Sequence, residues 1–544
     1  MAMARLAVTA CALAALAGLL PAASRCLAAD RPAADRPNIV VVLADDLGYG
    51  DVAANNPAGK IATPHIDRLA REGMRFTDAH TSSGVCTPTR YSLLTGRYHW
   101  RTRLQSGVLG GFSRPLIARD RLTVAGLLKS HGYHTAVIGK WHLGLDWPLV
   151  DGRIADDGGD FGRLFADGPR VDWARPITDG PLDHGFDHFY GIAASLDMVP
   201  YVWIRDRLAT EACTATKAFH RPGPAGPDFE AIDVQRGITE RLIGFMRERA
   251  AAARSGTPFF AYVPLAAPHT PILPEKEWQG SSGINAYADF VKQVDADIGR
   301  MLDALDELGL ARDTLFVLTS DNGCSPEAKI PELLAAGHAP SGIYRGHKAD
   351  LYEGGHRVPF LARWPARVAA GTVTDALVGQ IDLLATCADI LDADLPATAG
   401  EDSVSFLPVL CGTVTTPPRT SIISQSINGS FAIRDHAWKL AICPGSGGWS
   451  PPRLHDDTTG LPEFQLYDLS ADPGETKNLV ATHPDRVRAM RAMLEEAIAR
   501  GRTTPGPDQP NDAPIVVVKP KPAPKRKAAD RPSQGGRPGA APAA

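Results

Sequence analysis

The stretch NIVVVLAD, residues 38–45, is an unbroken run of β-branched and apolar residues that ends in an acid. A run without polar alternation indicates a strand buried on both faces, which is typical of parallel sheets covered by helices. The same design returns in three later runs, at residues 134–142, 259–269 and 314–323. Helical patterns separate the runs, at residues 62–73, 122–132 and 287–309. We therefore predict an α/β fold with a large, mainly parallel sheet sandwiched by helices.

Two pairs of oxygen-bearing side chains follow strands of this predicted sheet. Asp45 and Asp46 end the first strand, and the motif SDNG supplies Asp321 and Asn322 after another. Ligands of such sheets gather outside the carboxyl ends of the strands. Paired acids there are costly unless a positive group lies between them, and hard oxygen ligands suit Ca²⁺ or Mg²⁺. Either acid of the first pair could instead cap the next helix, but the two pairs together favour a divalent-cation site.

A single cysteine stands at the start of a predicted helix in the stretch VCTPTRYSLLTGRY, residues 85–98. Pro88 fits the first turn of a helix, so Cys86 lies where free N–H groups and the helix dipole favour an anion. Arg90 follows four residues later on the same face. An ordinary core cysteine remains an alternative. A thiolate nucleophile would need a base, and none is near in the sequence.

At this point the residues resemble a known family. CTPTR followed by LLTGR is similar to the signature of the type I, formylglycine-dependent sulfatases, which are arylsulfatase-like members of the alkaline phosphatase superfamily. Further motifs follow in that family's order: GKWHLG (139–144), PHTP (268–271), SDNG (320–323), GHKADLYEGGHRVPFLARWP (346–365) and QLYDLSADPGETKNL (465–479). The resemblance covers about residues 37–500. It implies an alkaline phosphatase-like fold and the hydrolysis of sulfate esters.

The resemblance also implies a modified residue and one metal ion. Cys86 would be oxidised to Cα-formylglycine by a separate maturase, and the hydrated aldehyde, not the thiol, would attack sulfur. One Ca²⁺ would be held by residue 86 together with the two oxygen-bearing pairs, Asp45, Asp46, Asp321 and Asn322.

The resemblance also implies a role for each of the remaining catalytic positions. Arg90 would hold the hydrate, and Lys140 would reach both the hydrate and the sulfate. His142 would take a proton from the second hydroxyl, which expels sulfate and regenerates the aldehyde. His269 and Lys348 would bind the sulfate and protonate or stabilise the leaving alkoxide.

The substrate is expected to be a sulfated small molecule or glycan, with a 6-O-sulfated galactose-type unit favoured. The candidate substrate-binding residues are Arg101, Arg103, His184, His347 and His356. The last two could equally be packing residues behind the site.

Two other functions fit parts of the pattern. A phosphonate or phosphate ester hydrolase of the same superfamily would share the aldehyde residue. An exported carbohydrate-binding protein without catalysis would show a broken set of site residues, whereas here every expected position is filled.

Composition and the chain ends complete the prediction. A net charge of −4 gives no indication of nucleic-acid binding or of a membrane surface. Residues 1–29 read as a signal peptide, because a membrane anchor needs about 20 apolar residues and this run is shorter. We expect an exported protein, periplasmic or secreted, without stable membrane insertion. The predicted parts are a catalytic domain (37–420), a C-terminal subdomain with a smaller antiparallel sheet plus a helix (421–502) and a disordered Pro/Lys/Ala-rich tail (503–544).

Overall fold

The buried run that opens the catalytic region forms β1 (Asn38–Ala44), a central strand of the main sheet. The structure, a computed structural model, describes residues 36–157, 170–414, 417–453 and 456–519. The predicted signal peptide (1–29) and residues 520–544 of the predicted tail lie outside the described residues. The other strands are β2 (Met74–Phe76), β3 (Ala79–His80), β4 (His134–Lys140), β5 (His188–Ile192), β6 (Ile204–Arg205), β7 (Leu208–Ala209), β8 (Ala215–Ala218), β9 (Pro222–Ala225), β10 (Phe259–Pro264), β11 (Thr314–Ser320), β12 (Phe360–Arg363), β13 (Thr372–Thr374), β14 (Val378–Gly379), β15 (Ser421–Gln425), β16 (Phe431–Asp435), β17 (Trp438–Ala441) and β18 (Gln465–Asp468).

The main sheet is mixed, with a parallel centre. Within the described residues its ten strands run in the order β13-β2-β12-β11-β1-β10-β4-β5-β6-β7. The consecutive strands β11, β1, β10, β4 and β5 are all parallel, whereas β12 and β6 pair antiparallel with the strands beside them. The predicted fold class is confirmed. The carboxyl ends of the five parallel strands therefore meet at one edge.

Helices cover both faces of this sheet. They are α1 (Pro64–Glu72), α2 (Cys86–Thr95), α3 (Val124–Ser130), α4 (Val234–Arg254), α5 (Ala286–Glu307), α6 (Ile330–Ala335), α7 (Glu353–His356), α8 (Leu383–Leu391), α9 (Leu407–Leu410) and α10 (Pro484–Ala499). Helices α1, α4 and α5 pack together, and α2, α3 and α8 pack together. Because β1, β10 and β11 are buried along their whole length, the two groups lie on opposite faces.

Helix α5 shows how the sequence produces these layers. Asn285 caps its first turn by accepting a hydrogen bond from the Ala288 N–H at 3.1 Å. Its apolar residues then recur at helical spacing and face the sheet, with buried side chains at Phe290, Val294, Ile298, Met301 and Leu305. None of the described helices has the length and apolar character that crossing a bilayer requires.

The C-terminal region forms the predicted small antiparallel sheet. Strands β15, β16, β17 and β18 pair in sequence order, and α10 packs against β16 and β17. Met490 and Leu494 of α10 join a hydrophobic cluster that also contains Tyr98 and Trp100. The small sheet is therefore anchored to the segment that follows α2.

The predicted disorder from residue 503 onward is wrong for residues 503–519, named here the C-terminal strap. Asp512 of the strap pairs with both terminal nitrogens of the Arg97 guanidinium, at 2.9 and 3.1 Å. Asn511 accepts a hydrogen bond from Arg101 at 2.9 Å, and the apolar side chains of Ile515, Val517 and Val518 pack on the same cluster as α10. Composition alone missed this because the strap forms no helix or strand and is held by Arg97 and Arg101, which are 415 and 410 positions away from their partners.

We expect the C-terminal strap to stabilise the fold. A chain that ends at Arg502 leaves the buried Arg97 without Asp512 and should lose about 2–4 kcal/mol of unfolding free energy. A chain that ends at Lys519 is the matched control and should unfold like the full chain. Urea denaturation of the three chains measures the difference, and equal midpoints for all three would contradict the expectation.

Candidate active site

The two oxygen-bearing pairs meet at the carboxyl edge of the sheet. Strands β1 and β11 are neighbours with Ala44 opposite Ser320, so the residues after each strand lie side by side. The Asp46 N–H donates to Asp321 Oδ1 at 3.2 Å, and the Asn322 amide donates to Asp46 Oδ1 at 2.7 Å. Neither Asp45 nor Asp46 caps a helix, since the next helical turn, Tyr49–Asp51, has Gly48 at its N-cap and α1 has Thr63. Capping is therefore not their function.

Two oxygens of this cluster have no hydrogen-bond donor. Asp45 Oδ1 and Asn322 Oδ1 are buried and without a partner among the described residues. Burial, together with the neighbouring Asp45, raises the pKa of Asp321 to about 7. Ligand atoms of Asp45, Asp46 and His269 also lie within 4.8 Å of one another. A divalent cation would satisfy the unpaired oxygens and favour the charged carboxylates, so the residues fit a hard cation.

Two lysines neutralise the acids. Lys140 Nζ donates to Asp45 Oδ2 at 2.6 Å, and Lys348 Nζ donates to Asp46 Oδ2 at 2.9 Å. Burial alone would raise the pKa of Asp45, but Lys140, His269 and Arg90 hold it well below its ordinary value. Burial would lower the pKa of Lys348, but Asp46 raises it above its ordinary value. Lys348 is therefore a charged donor at neutral pH.

The backbone before Lys140 admits only glycine. Gly139 has φ of +133°, and a Cβ there would lie 1.9 Å from the carbonyl oxygen of Pro264. The close contact lets β4 run beside the end of β10 and directs the lysine into the cluster.

Cys86 is the first residue of α2 and is buried, with 3% of its surface exposed. Burial raises the pKa of its thiol, although the charges of Lys140 and Lys348 oppose that effect. The thiol is therefore protonated at neutral pH and is a poor nucleophile. Arg90, one turn along α2, donates to Asp321 Oδ2 from Nε and Nη2 at 3.2 and 2.7 Å. The predicted proximity of the cysteine, the arginine and the acids is present.

Among the residues described, His142 has one engaged ring nitrogen and one free ring nitrogen. It lies beyond β4 with φ of +56°, and its Nε2 is 2.7 Å from the Leu109 carbonyl oxygen, to which it donates. Its Nδ1 is buried and accepts no hydrogen bond within the described part of the chain. Burial, with the charges of Lys140 and Arg90, lowers the pKa of His142 well below its ordinary value. The free lone pair is therefore on Nδ1.

His269 has the reverse arrangement. Its Nδ1 lies 2.6 Å from the Thr270 carbonyl oxygen and donates to it, so Nε2 faces the cluster, 3.7 Å from Asp46 Oδ2. The structure thus brings together the six predicted catalytic positions and the predicted metal ligands.

Comparison with known proteins agrees with this site. The family model described as Sulfatase matches residues 37–393. The chain belongs to the sulfatase family. It is 34% identical over 508 residues to an N-acetylgalactosamine-6-O-sulfatase of Bacteroides thetaiotaomicron, covering 86% of this chain and 94% of that one. It is 32% identical to arylsulfatase A of Bos taurus, covering 89% of this chain and 92% of the relative.

Solved structures agree as well. A structure from work on the metabolism of multiple glycosaminoglycans by Bacteroides thetaiotaomicron superposes with a TM-score of 0.72 at 32% identity. The match covers 85% of this chain and 99% of that chain. The similarity to sulfatases therefore extends over most of the chain, and the protein is a member of an enzyme family.

Sequence reasoning missed a buried support behind Asp46 of the sulfatase. The Tyr287 hydroxyl donates to Asp51 Oδ2 at 2.5 Å and lies 3.0 Å from the Asp46 carbonyl oxygen. His338 Nε2 lies 2.8 Å from Asp51 Oδ1. No local signal could have found this group, because its members come from the segment after β1, from α5 and from the loop after α6.

Two of the predicted substrate-binding residues do not face the site, which corrects the prediction. Arg101 is fully buried and donates to both oxygens of Asp402 at 2.8 Å. His356 is 2% exposed, with Nε2 3.1 Å from Lys439 Nζ and Nδ1 3.0 Å from His80 Nδ1. Both side chains are engaged by internal charged groups and have no surface to offer a ligand.

The other three candidates differ in exposure. His184 is buried with Nε2 3.1 Å from Asp179. Arg103 is exposed and donates to the Arg114 carbonyl oxygen at 2.6 Å. His347 is half-buried, with Nε2 3.0 Å from Ser450 Oγ. Their role at the substrate stays a prediction.

A buried charge network surrounds His356 in the sulfatase and joins α7 to the small sheet. Lys439 of β17 donates to Glu353 Oε1 at 3.0 Å and contacts Glu475 Oε1 at 2.9 Å. Burial raises the pKa of Glu475 to about 7, although Lys439 lowers it. Lys439 is thus a cation shared by two buried carboxylates, and Glu353 also pairs with Arg357 at 3.0 Å.

Replacing Lys439 should destabilise the fold in a pH-dependent way. Lys439→Met leaves Glu353 and Glu475 without their shared cation and should cost about 3–5 kcal/mol at pH 8. The loss of unfolding free energy should be smaller at pH 5.5. A carboxyl whose pKa is raised in the folded state, as in Glu475, binds a proton at that pH, and the folded state therefore gains stability as the pH falls.

Denaturant titrations at both pH values measure this effect. Lys477→Met, at an exposed position of the same region, is the control and should change little. A pH-independent loss would contradict the role given to Glu475.

Proposed function

We propose that this sulfatase releases inorganic sulfate from a sulfated sugar, with a formylglycine made from Cys86 and with one Ca²⁺. The observation that carries the proposal is a buried, protonated cysteine at the start of α2, beside charged lysines and a cluster of oxygen ligands. A thiol in that state does not explain the surrounding donors, whereas an oxidised residue at the same position does. When present, the hydrated aldehyde supplies an oxygen nucleophile and the cation supplies positive charge.

The side chains that would hold the cation are Asp45, Asp46, Asp321 and Asn322, together with residue 86. The support is the donor set itself, which is oxygen-rich and includes two unpaired buried oxygens. Ca²⁺ is favoured because carboxylate and amide oxygens are its usual ligands.

The cationic side chains would bind the sulfate group. Lys140 and Lys348 present charged amines to the cluster, and their charge stabilises negative charge that develops on the sulfuryl oxygens. Arg90 is fixed by Asp321 and the Lys140 carbonyl oxygen, so it would orient residue 86 without changing its own position.

Two histidines would carry out the two proton transfers, one from residue 86 and one to the leaving oxygen. His142 is neutral with a free Nδ1, which suits a base that removes a proton from residue 86. His269 directs Nε2 towards Asp46 and would donate from Nε2 to the leaving oxygen when both ring nitrogens carry a proton. The loop that contains Leu109 fixes the tautomer of His142.

The substrate proposal rests on the relatives. The N-acetylgalactosamine-6-O-sulfatase is similar to this chain along nearly its full length, which favours a 6-O-sulfated sugar of the galactose type. We also propose that the protein is exported and matured by a formylglycine-generating enzyme. The N-terminal pattern of residues 1–29 supports the export step.

The modification of Cys86 is testable by peptide mass spectrometry. Protein made with a formylglycine-generating enzyme should show the aldehyde in place of the thiol at position 86 and should turn over an aryl sulfate faster than the matched phosphate ester. Cys86→Ala should lose turnover by about a thousandfold or more while its melting temperature stays close to that of the parent.

Co-expression with an inactivated maturase gives the matched control, with Cys86 unmodified and activity low. Full activity with an unmodified cysteine would contradict the mechanism.

Calcium binding should depend on pH. Because Asp321 has a pKa of about 7 without the ion, Ca²⁺ must displace a proton below that pH. The apparent Kd at pH 6 should be about tenfold weaker than at pH 8, as expected for one displaced proton. Titration calorimetry of metal-free protein in two buffers measures both the affinity and the released proton.

Asp321→Asn removes the titrating carboxyl and should bind Ca²⁺ weakly with little pH dependence. Equal affinity at both pH values in the parent protein would show that Asp321 holds no proton there.

A further inference from the structure

The loop at residues 193–200 follows β5 and opens beside the catalytic groups. β5 is parallel to β4, and the loop therefore leaves the same edge of the sheet that carries Lys140 and His142. The His142 N–H donates to the Ala193 carbonyl oxygen at 3.0 Å, which fixes the start of the loop next to the base. None of the site roles described above uses this loop.

Asp197 of this loop has one satisfied oxygen and one unsatisfied oxygen. It is 8% exposed, and its Oδ2 accepts a hydrogen bond from Arg221 Nη1 at 2.6 Å. The same nitrogen donates to the Asp197 carbonyl oxygen at 2.8 Å, so the carboxylate is held in place. Its Oδ1 is buried and has no donor among the residues that the structure describes. A buried carboxylate oxygen without a donor is a strong acceptor site.

Asp197 lies within the field of the catalytic groups. Burial would raise its pKa, but His269 first, and then Arg221 and Lys140, hold it at about 2. The side chain is therefore a carboxylate at neutral pH. Asp197 lies five residues beyond β5, on the loop that leaves the sheet edge of Lys140 and His142.

The hydrogen-bonding capacity of Asp197 Oδ1 limits which groups can bind to it. A carboxylate accepts hydrogen bonds and cannot donate, so its partner must be an O–H or N–H group. The sulfate group of a substrate has no such hydrogen and would be repelled by the negative charge. The hydroxyl groups of a sugar meet the requirement.

Resting on the proposed function, we infer that Asp197 accepts a hydrogen bond from a hydroxyl of the sugar unit that carries the sulfate. Asp197 is then a specificity residue that distinguishes sugar sulfates from sulfates of simple aryl alcohols. Arg221 is a positioning residue, because it fixes the carboxylate through Oδ2 and the backbone.

The test compares two kinds of substrate, sugar sulfates and an aryl sulfate, in matured protein. The sugar substrates are galactose 6-sulfate and N-acetylgalactosamine 6-sulfate, and the reference is 4-nitrophenyl sulfate, which has no sugar hydroxyl. In Asp197→Ala, kcat/KM for the sugar sulfate should fall about ten- to a hundredfold further than kcat/KM for the aryl sulfate, as expected when a charged hydrogen bond is lost. Asp197→Asn keeps the shape and should show a smaller difference of the same sign.

The control variant is Glu230→Gln, which removes an exposed carboxylate paired with Lys217 near β9 and should leave both activities unchanged. Galactose 6-sulfates that lack one hydroxyl at a time identify the partner. Removing that hydroxyl should weaken turnover by the parent protein but change Asp197→Ala little, because the interaction is already absent.

Several outcomes would overturn the inference. Equal losses on both substrates in Asp197→Ala and Asp197→Asn would show that the residue maintains the site and does not recognise the sugar. Hydrolysis of the aryl sulfate by the parent protein, with no hydrolysis of either sugar sulfate, would also overturn it. If matured parent protein hydrolyses neither kind of sulfate ester, the proposed function itself fails, and this result is distinct from the other two.

Discussion

The structure depends on compensating four buried oxygen-bearing side chains at the ends of two adjacent strands. β1 and β11 can be neighbours in a dry sheet only if the acids after them receive positive charge, because water is excluded there. That charge comes from Lys140, Lys348 and Arg90, which belong to β4, to the segment before α7 and to α2. The order of the strands, the start of α2 and the close backbone contact at Gly139 all serve this compensation.

The same compensation explains why the site suits an anionic substrate. Lys140 pairs with Asp45, and Lys348 pairs with Asp46. A divalent cation held by the proposed ligands would supply the compensating charge, and the amines would then be available for sulfate oxygens. One set of side chains therefore meets the demands of folding and of substrate binding.

The sequence predicted those parts of the molecule that depend on local pattern. Unbroken apolar runs identified the parallel strands, and the acids after residues 44 and 320 identified the functional edge. Contacts between distant segments left no such pattern. Asp51 and Tyr287 meet across 236 residues, and Asp512 reaches Arg97 across 415. A surface arginine and one that forms a buried ion pair also look alike in a sequence, which is why Arg101 was assigned wrongly to the substrate.

Burial sets the protonation states of Cys86 and His142 in the same direction, towards the neutral forms. It raises the pKa of the thiol and lowers the pKa of the imidazole, so a thiolate–imidazolium pair is disfavoured twice. The lysines do not rescue that pair, because the charge that would stabilise a thiolate also opposes protonation of the histidine. A neutral base beside a neutral residue suits an oxygen nucleophile that gives up its proton only during reaction. These neutral forms agree with the proposal that Cys86 is the precursor of an oxygen nucleophile.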